Sequence, residues 1–193
     1  VDLEGSGIAT LKPEIGSKND LVAFIRAHRD MFRGALPCFL GGEHSITPWI
    51  LEGLELSDIG IVWLDAHADL RESYLGDRES HACAARNALP YGPLVQIGVR
   101  SYSREERDFL RGTGGTRVFP FWNEGAWEAR RRLPETVYLS VDFDAVDGDV
   151  AVTKGRQQFF GQRREARDAA GQTAHGPFKH PPDSVPVAEA IVV

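Results

Sequence analysis

The stretch "IGIVWLD", residues 59–65, is apolar on every consecutive position until its final aspartate. A strand buried on one face alternates apolar and polar residues; a continuous run is what a strand covered on both faces requires, which is the situation in a parallel sheet. Similar runs recur in "PCFLGG" (37–42), "LVQIGVRS" (94–101) and "TVYLSVDFD" (136–144), with a shorter one in "RVFPFW" (117–122), where Pro120 disfavours a central strand. Helical patterns fall between them. Ser17 reads as an N-cap ahead of Leu21, Phe24, Ile25, His28 and Phe32, with Gly34 as the stop. A second helix is predicted from about Ser45 to Leu54, and a third at 125–133. Ser103 and Glu106 form the S-x-x-E capping box of a further helix ending near Arg111. Strands alternating with helices predict a parallel α/β sheet covered on both faces, with ligands beyond the carboxyl ends of its strands.

Those strand ends carry chemistry. "GGEHS" places His44 after the first run, "DAHAD" places Asp65, His67 and Asp69 after the second, and "SVDFDAVD" places Asp142 and Asp144 after the last. Alternate residues of an extended segment point the same way, so each set projects into one cleft. Four carboxylates gathered there repel one another unless cations join them. Two divalent ions neutralise the four charges, and six side chains exceed what one small ion takes. A mainly oxygen donor set with one imidazole per metal favours Mn²⁺ over a thiolate zinc site. A metal pair roughly 3.5–4 Å apart traps a bridging water and lowers its pKa towards about 7. Any one of these residues alone reads equally well as a cap, a turn or a packing residue; three clusters at three strand ends do not.

The partner classes follow from charge and length. The chain has 193 residues and a net charge of −6, which suits one domain, disfavours a nucleic-acid backbone as partner and suits cationic ligands. Two cysteines, Cys38 and Cys83, make no disulfide framework, so a reduced, cytoplasmic setting is expected. No apolar run approaches a membrane span and no signal-peptide pattern opens the chain, so no membrane association is expected. The run Arg130–Arg132 reads as a solvated helix face. From Gly148 onward the chain has no Leu, Trp, Tyr, Met or Cys, and residues 151–193 read as an atypical, loosely ordered tail on a core of residues 1–150.

"GGEHSIT", "DAHADLR" and "SVDFDAVD" resemble the three metal-binding signatures of the ureohydrolases, the family of arginase, agmatinase and formiminoglutamase. The segment "ESHACAARNALPYGPLVQIGVRSYSREE" (79–106) is most similar to agmatinases, and the likeness covers roughly residues 18–147. The resemblance implies a three-layer α-β-α sandwich with a mainly parallel sheet, two Mn²⁺ per chain and, for a complete fold, a homo-oligomer. It implies that His44 and Asp69 bind one manganese, that His67 and Asp144 bind the other, and that Asp65 and Asp142 bridge both. His81, in "SHAC", matches the proton-shuttling histidine, and Asp69 is carried with it into the catalytic set. Glu43 supports the site without binding metal. The implied reaction is attack of a metal-bridging hydroxide on a cationic guanidinium substrate, agmatine above all, releasing urea and an amine, putrescine in that case.

After Asp147 the family pattern is not followed. Gly148 stands where the family has proline, and the segment bearing the glutamate that grips the guanidinium is not recognisable. The resemblance thus implies a ureohydrolase core lacking parts at both ends, expected to turn over agmatine weakly or not at all. Two alternatives stand beside it: a non-catalytic remnant that keeps the metal cluster, and a di-metal hydrolase acting on another cationic amide.

Overall fold

The computed structural model describes residues 9–32, 35–113, 116–145 and 190–192, together with Gly7. Its centre is a five-stranded, all-parallel sheet of β1 (Ile59–Leu64), β2 (Leu94–Ile97), β3 (Thr116–Phe119), β4 (Thr136–Val141) and β5 (Ala190–Val192), in the order β3-β2-β1-β4-β5. The helices are α1 (Lys18–His28), α2 (Ile46–Leu54), α3 (Ala84–Ala88), α4 (Arg104–Gly112) and α5 (Glu124–Arg131).

Local signals account for the helix starts. The Ser17 hydroxyl accepts from the Asp20 amide at the head of α1. At α4 the Ser103 hydroxyl accepts from the Glu106 amide while the Glu106 carboxylate accepts from the Ser103 amide, completing the capping box. Asn123 caps α5 through the Ala126 amide. Helices α1 and α2 approach closely because Gly53 has no side chain: a Cβ there would sit 2.7 Å from Ile25 Cβ.

The alternation of β1 divides the core. Ile59, Ile61 and Trp63 pack with Ile25, Ile50, Leu51, Leu54, Ala84, Ala85 and Ala88 on the face covered by α1, α2 and α3, and α4 adds Phe109 and Leu110. Val62 faces the other way, with Val95, Ile97 and Val137 against Ala126 and Ala129 of α5. Connection handedness explains the division. The steps β1–α3–β2 and β2–α4–β3 run one way along the sheet, and β3–α5–β4 runs back, so right-handed crossovers place α5 on the opposite face. The result is the three-layer α-β-α arrangement. The strand order reverses between β1 and β4, and the crevice at their carboxyl ends is where an open sheet of this kind binds ligands.

Three expectations about the elements require correction. Residues 37–42 form no strand: Cys38 makes an isolated bridge only, and Leu40 is 90 % exposed. An apolar run becomes a strand only where a neighbour offers a ladder, and the described neighbours of β1 and β4 are already other strands. The run 94–101 gives a shorter strand than expected, since β2 ends at Ile97 and Gly98 turns the chain with φ of +99°. The tail, in which no strand was assigned, contributes β5 beside β4. Apart from β5, the expected loosely ordered tail of residues 151–193 lies outside the described residues.

Candidate metal centre

Residues immediately after β1 and β4 leave the sheet at the same height. Leu64 pairs with Val141, the Asp142 amide donates to the Leu64 carbonyl at 2.8 Å, and the Asp65 amide donates to the Ile97 carbonyl at 3.1 Å. Asp65 and Asp142 therefore stand side by side at the switch point. His44 arrives from a different element than expected: it lies in the turn that opens α2, not at a strand end. A cleft of about 640 Å³ is lined by His44, Asp65, His67, Asp69, Asp142 and Asp144, and by His81 at one side. The structure thus brings together all seven residues singled out from the sequence.

Their contacts fall into two sets that share one residue. Nδ1 of His44 lies 3.0 Å from Asp65 Oδ2, 3.4 Å from Asp69 Oδ2 and 3.7 Å from Asp142 Oδ2. Nδ1 of His67 lies 3.0 Å from Asp144 Oδ2 and 3.5 Å from Asp65 Oδ1. Potential ligand atoms of His44, Asp65 and Asp142 lie within 4.8 Å of one another, and so do those of Asp65, His67 and Asp144. Asp65 offers one oxygen to each set.

The carboxylates are held from behind by amides. The His67 amide donates to Asp65 Oδ1 at 2.7 Å, the Ala66 amide to Asp144 Oδ1 at 3.0 Å, and the Asp144 amide to Asp142 Oδ1 at 2.9 Å. The Trp63 indole donates to Asp65 Oδ2 at 3.1 Å and stacks on the His44 ring, centroids 4.2 Å apart. The loop bearing Asp69 is fixed by two buried side chains: Gln96 donates to the Ala68 carbonyl at 2.6 Å, and Glu106 accepts from the Leu70 amide at 3.0 Å. Asp69 itself has φ of +51°, the left-handed region that a non-glycine residue occupies only when its surroundings impose it.

Neither Gln96 nor Trp63 was singled out from the sequence, yet both left a signal. A glutamine inside the apolar run "LVQI" needs a partner, and Trp63 precedes Asp65, His67 and Asp69 at the same two-residue spacing. Across the cleft, His81 Nδ1 meets Glu43 Oε1 at 2.8 Å and the His81 ring tilts against Tyr74.

The protonation states follow from crowding. Burial opposes charge on His44, but the close carboxylates of Asp65 and Asp69 outweigh it and push the imidazole up to about 9. The carboxylates of Asp144 and Asp65 push His67 up to about 10. Burial works to raise Asp65, but its bonds to His44 and His67 hold it well below the usual carboxylate range. Burial, helped by the nearby Asp65 charge, pushes Asp69 up to about 6. Asp142 is raised by burial and by the charges of Asp144 and Asp65. Carboxylates this close, two of them raised, form a site that gains from a cation. The donor set fits one: His44 Nδ1 is buried without an aligned hydrogen bond, although carboxylate oxygens surround it.

A doubly covered parallel sheet with an imidazole–carboxylate cleft at its switch point defines a class, and the comparisons agree with it. Residues 13–174 match the arginase family, and the chain belongs to that family. Among curated relatives, the agmatinase of Pyrococcus horikoshii is 43 % identical over 129 residues, covering 65 % of this chain and 45 % of that one. The N(1)-aminopropylagmatine ureohydrolase of Thermococcus kodakarensis is 37 % identical, covering 67 % and 45 %. The solved agmatine ureohydrolase of Thermoplasma volcanium superposes with a TM-score of 0.60 at 33 % identity, covering 75 % of this chain and 53 % of that one. The chain spans about half the length of the relatives it matches.

Proposed function

We propose that this cleft is a two-manganese ureohydrolase centre that hydrolyses a primary guanidine, agmatine or an N-substituted agmatine, to urea and an amine. The observation that carries the reading is the position of Asp65, one carboxylate with an oxygen in each of two imidazole-containing donor sets. His44, Asp65, Asp69 and Asp142 would hold one ion, and His67, Asp65, Asp142 and Asp144 the other. The oxygen-rich set with one imidazole per position favours Mn²⁺. When bound, the metal pair supplies Lewis acidity and a water acidified towards neutral pH.

The chain's own residues do the rest. The acidic cleft attracts a cationic guanidinium and orients its carbon towards the two sets. Glu43 holds His81 by Nδ1, which leaves Nε2 to deliver a proton to the departing amine nitrogen. The names of the relatives support this substrate class: agmatinases, N(1)-aminopropylagmatine ureohydrolases and a guanidinobutyrase.

Urea release from the Mn²⁺-loaded chain tests the reading, with agmatine, N(1)-aminopropylagmatine, guanidinobutyrate and arginine compared. Urea from agmatine or its aminopropyl derivative above the metal-free control is expected. Two bound Mn²⁺ with no urea from any of the four would reject it.

A further inference from the structure

Nε2 of His44 lies 2.8 Å from Ser140 Oγ, and Ser140 Oγ lies 3.3 Å from Thr47 Oγ1. Ser140 and Thr47 are both completely buried. We propose that Ser140 is the positioning residue of this centre: its hydroxyl holds the Nε2 edge of His44, so that Nδ1 is the nitrogen presented to Asp65, Asp69 and Asp142. The proposal rests on reading the cleft as a manganese site and adds what orients one of its ligands.

The geometry allows His44 little freedom. The Trp63 indole covers one face of the ring at 4.2 Å, with the planes 17° apart. Trp63 and Ser140 are register partners across the β1–β4 ladder, so the residue that stacks on the ring and the residue that holds its edge come from one rigid pair of strands. His44 itself sits on the turn before α2, and Thr47 belongs to that helix. The Ser140–Thr47 contact therefore also ties the turn to the sheet.

Hydrogen-bond bookkeeping points the same way. Carboxylates or a metal occupy the Nδ1 side, so the proton on Nε2 is donated to Ser140 Oγ. That leaves the serine's own hydrogen for Thr47 Oγ1. An imidazole ligand whose second nitrogen donates to a fixed acceptor is oriented before the metal arrives, and loss of such a partner typically weakens metal binding about 10–100-fold. His67 is more than half exposed and has no comparable partner among the described contacts.

Mn²⁺ affinity of the wild-type chain, Ser140→Ala and Ser140→Thr tests the proposal, read by titration against free Mn²⁺ with circular dichroism as the check on folding. Ser140→Ala should bind Mn²⁺ about 10–100-fold more weakly with its fold retained, and Ser140→Thr, which keeps a hydroxyl, should recover most of the loss. Equal affinity in wild type and Ser140→Ala would overturn the proposal and leave the metal centre standing. A wild-type chain that takes up no Mn²⁺ would overturn both. Should Ser140→Ala not fold, the ring nitrogens of His44 in the wild-type chain loaded with diamagnetic Zn²⁺ decide by NMR. A slowly exchanging proton on Nε2 supports the proposal, and a metal-bound Nε2 overturns it.

Discussion

Nδ1 of His44 and Oδ2 of Asp65 face each other at 3.0 Å, and Asp65 is almost wholly removed from solvent. The pair is a charged contact in the metal-free chain, and in the proposed centre the two would be neighbouring ligands. Protons and metal therefore compete for the same atoms.

That competition has a sign. His44 and His67 rise from the ordinary 6.5 to about 9 and about 10, so both are protonated at pH 7 in the metal-free chain. Their contribution to metal-free stability is complete below about pH 6.5 and is lost as pH rises through 9 to 10. His67 is half exposed, so His44 should dominate. Loading must expel both protons. Calorimetry at pH 7 in buffers of different ionisation enthalpy should show release of about two protons per fully loaded chain, and Mn²⁺ affinity should climb with pH. Pronounced proton uptake would contradict these assignments.

Shared and unshared ligands are separable by stoichiometry. Asp65 belongs to both donor sets, whereas Asp144 belongs only to that of His67. Asp65→Ala should abolish Mn²⁺ binding at both positions. Asp144→Ala should lower the count from about two to about one, since loss of one ligand set leaves the other intact. Equal counts in the two variants would remove Asp65 from its bridging role.

His81 lies outside both sets and lines the same cleft. His81→Asn should leave bound Mn²⁺ unchanged and lower the rate of urea release by about 10²-fold, the lower end of general acid–base contributions. Loss of metal in this variant would make His81 a ligand and not a proton carrier.

Gly98 secures the backbone under Asp65. Its φ is +99°, and a Cβ there would stand 3.0 Å from the Asp65 carbonyl oxygen. Gly98→Ala should cost about 1–2 kcal/mol or more in chemical denaturation, from the backbone conformation alone. It should also weaken Mn²⁺ uptake, because the relief available is a shift of the Asp65 loop.

Much of this was legible because strand ends announce themselves. The two-residue spacing of Asp65, His67 and Asp69 and of Asp142 and Asp144 marks which side chains share a direction, and the Ser103–Glu106 box marks a helix start. The run 37–42 misled because hydrophobicity says that a segment can be buried but not that a strand waits beside it; Leu40 is exposed instead. His44 was found for its neighbours in sequence and placed on the wrong element. Ser140 passed unremarked although it continues the 140, 142, 144 alternation, because a lone serine in a strand has many ordinary explanations. The pairing of β5 with β4 depends on contacts across some fifty residues of chain, which no local pattern encodes.

In the proposed centre Asp65 touches both metal positions at the β1–β4 switch point. Anomalous diffraction at the manganese edge, from crystals of the chain loaded with Mn²⁺, tests it directly. Two peaks are expected, one beside His44 Nδ1 and one beside His67 Nδ1, with Asp65 touching both. A single peak, peaks elsewhere, or two peaks with Asp65 bound to neither would contradict the account.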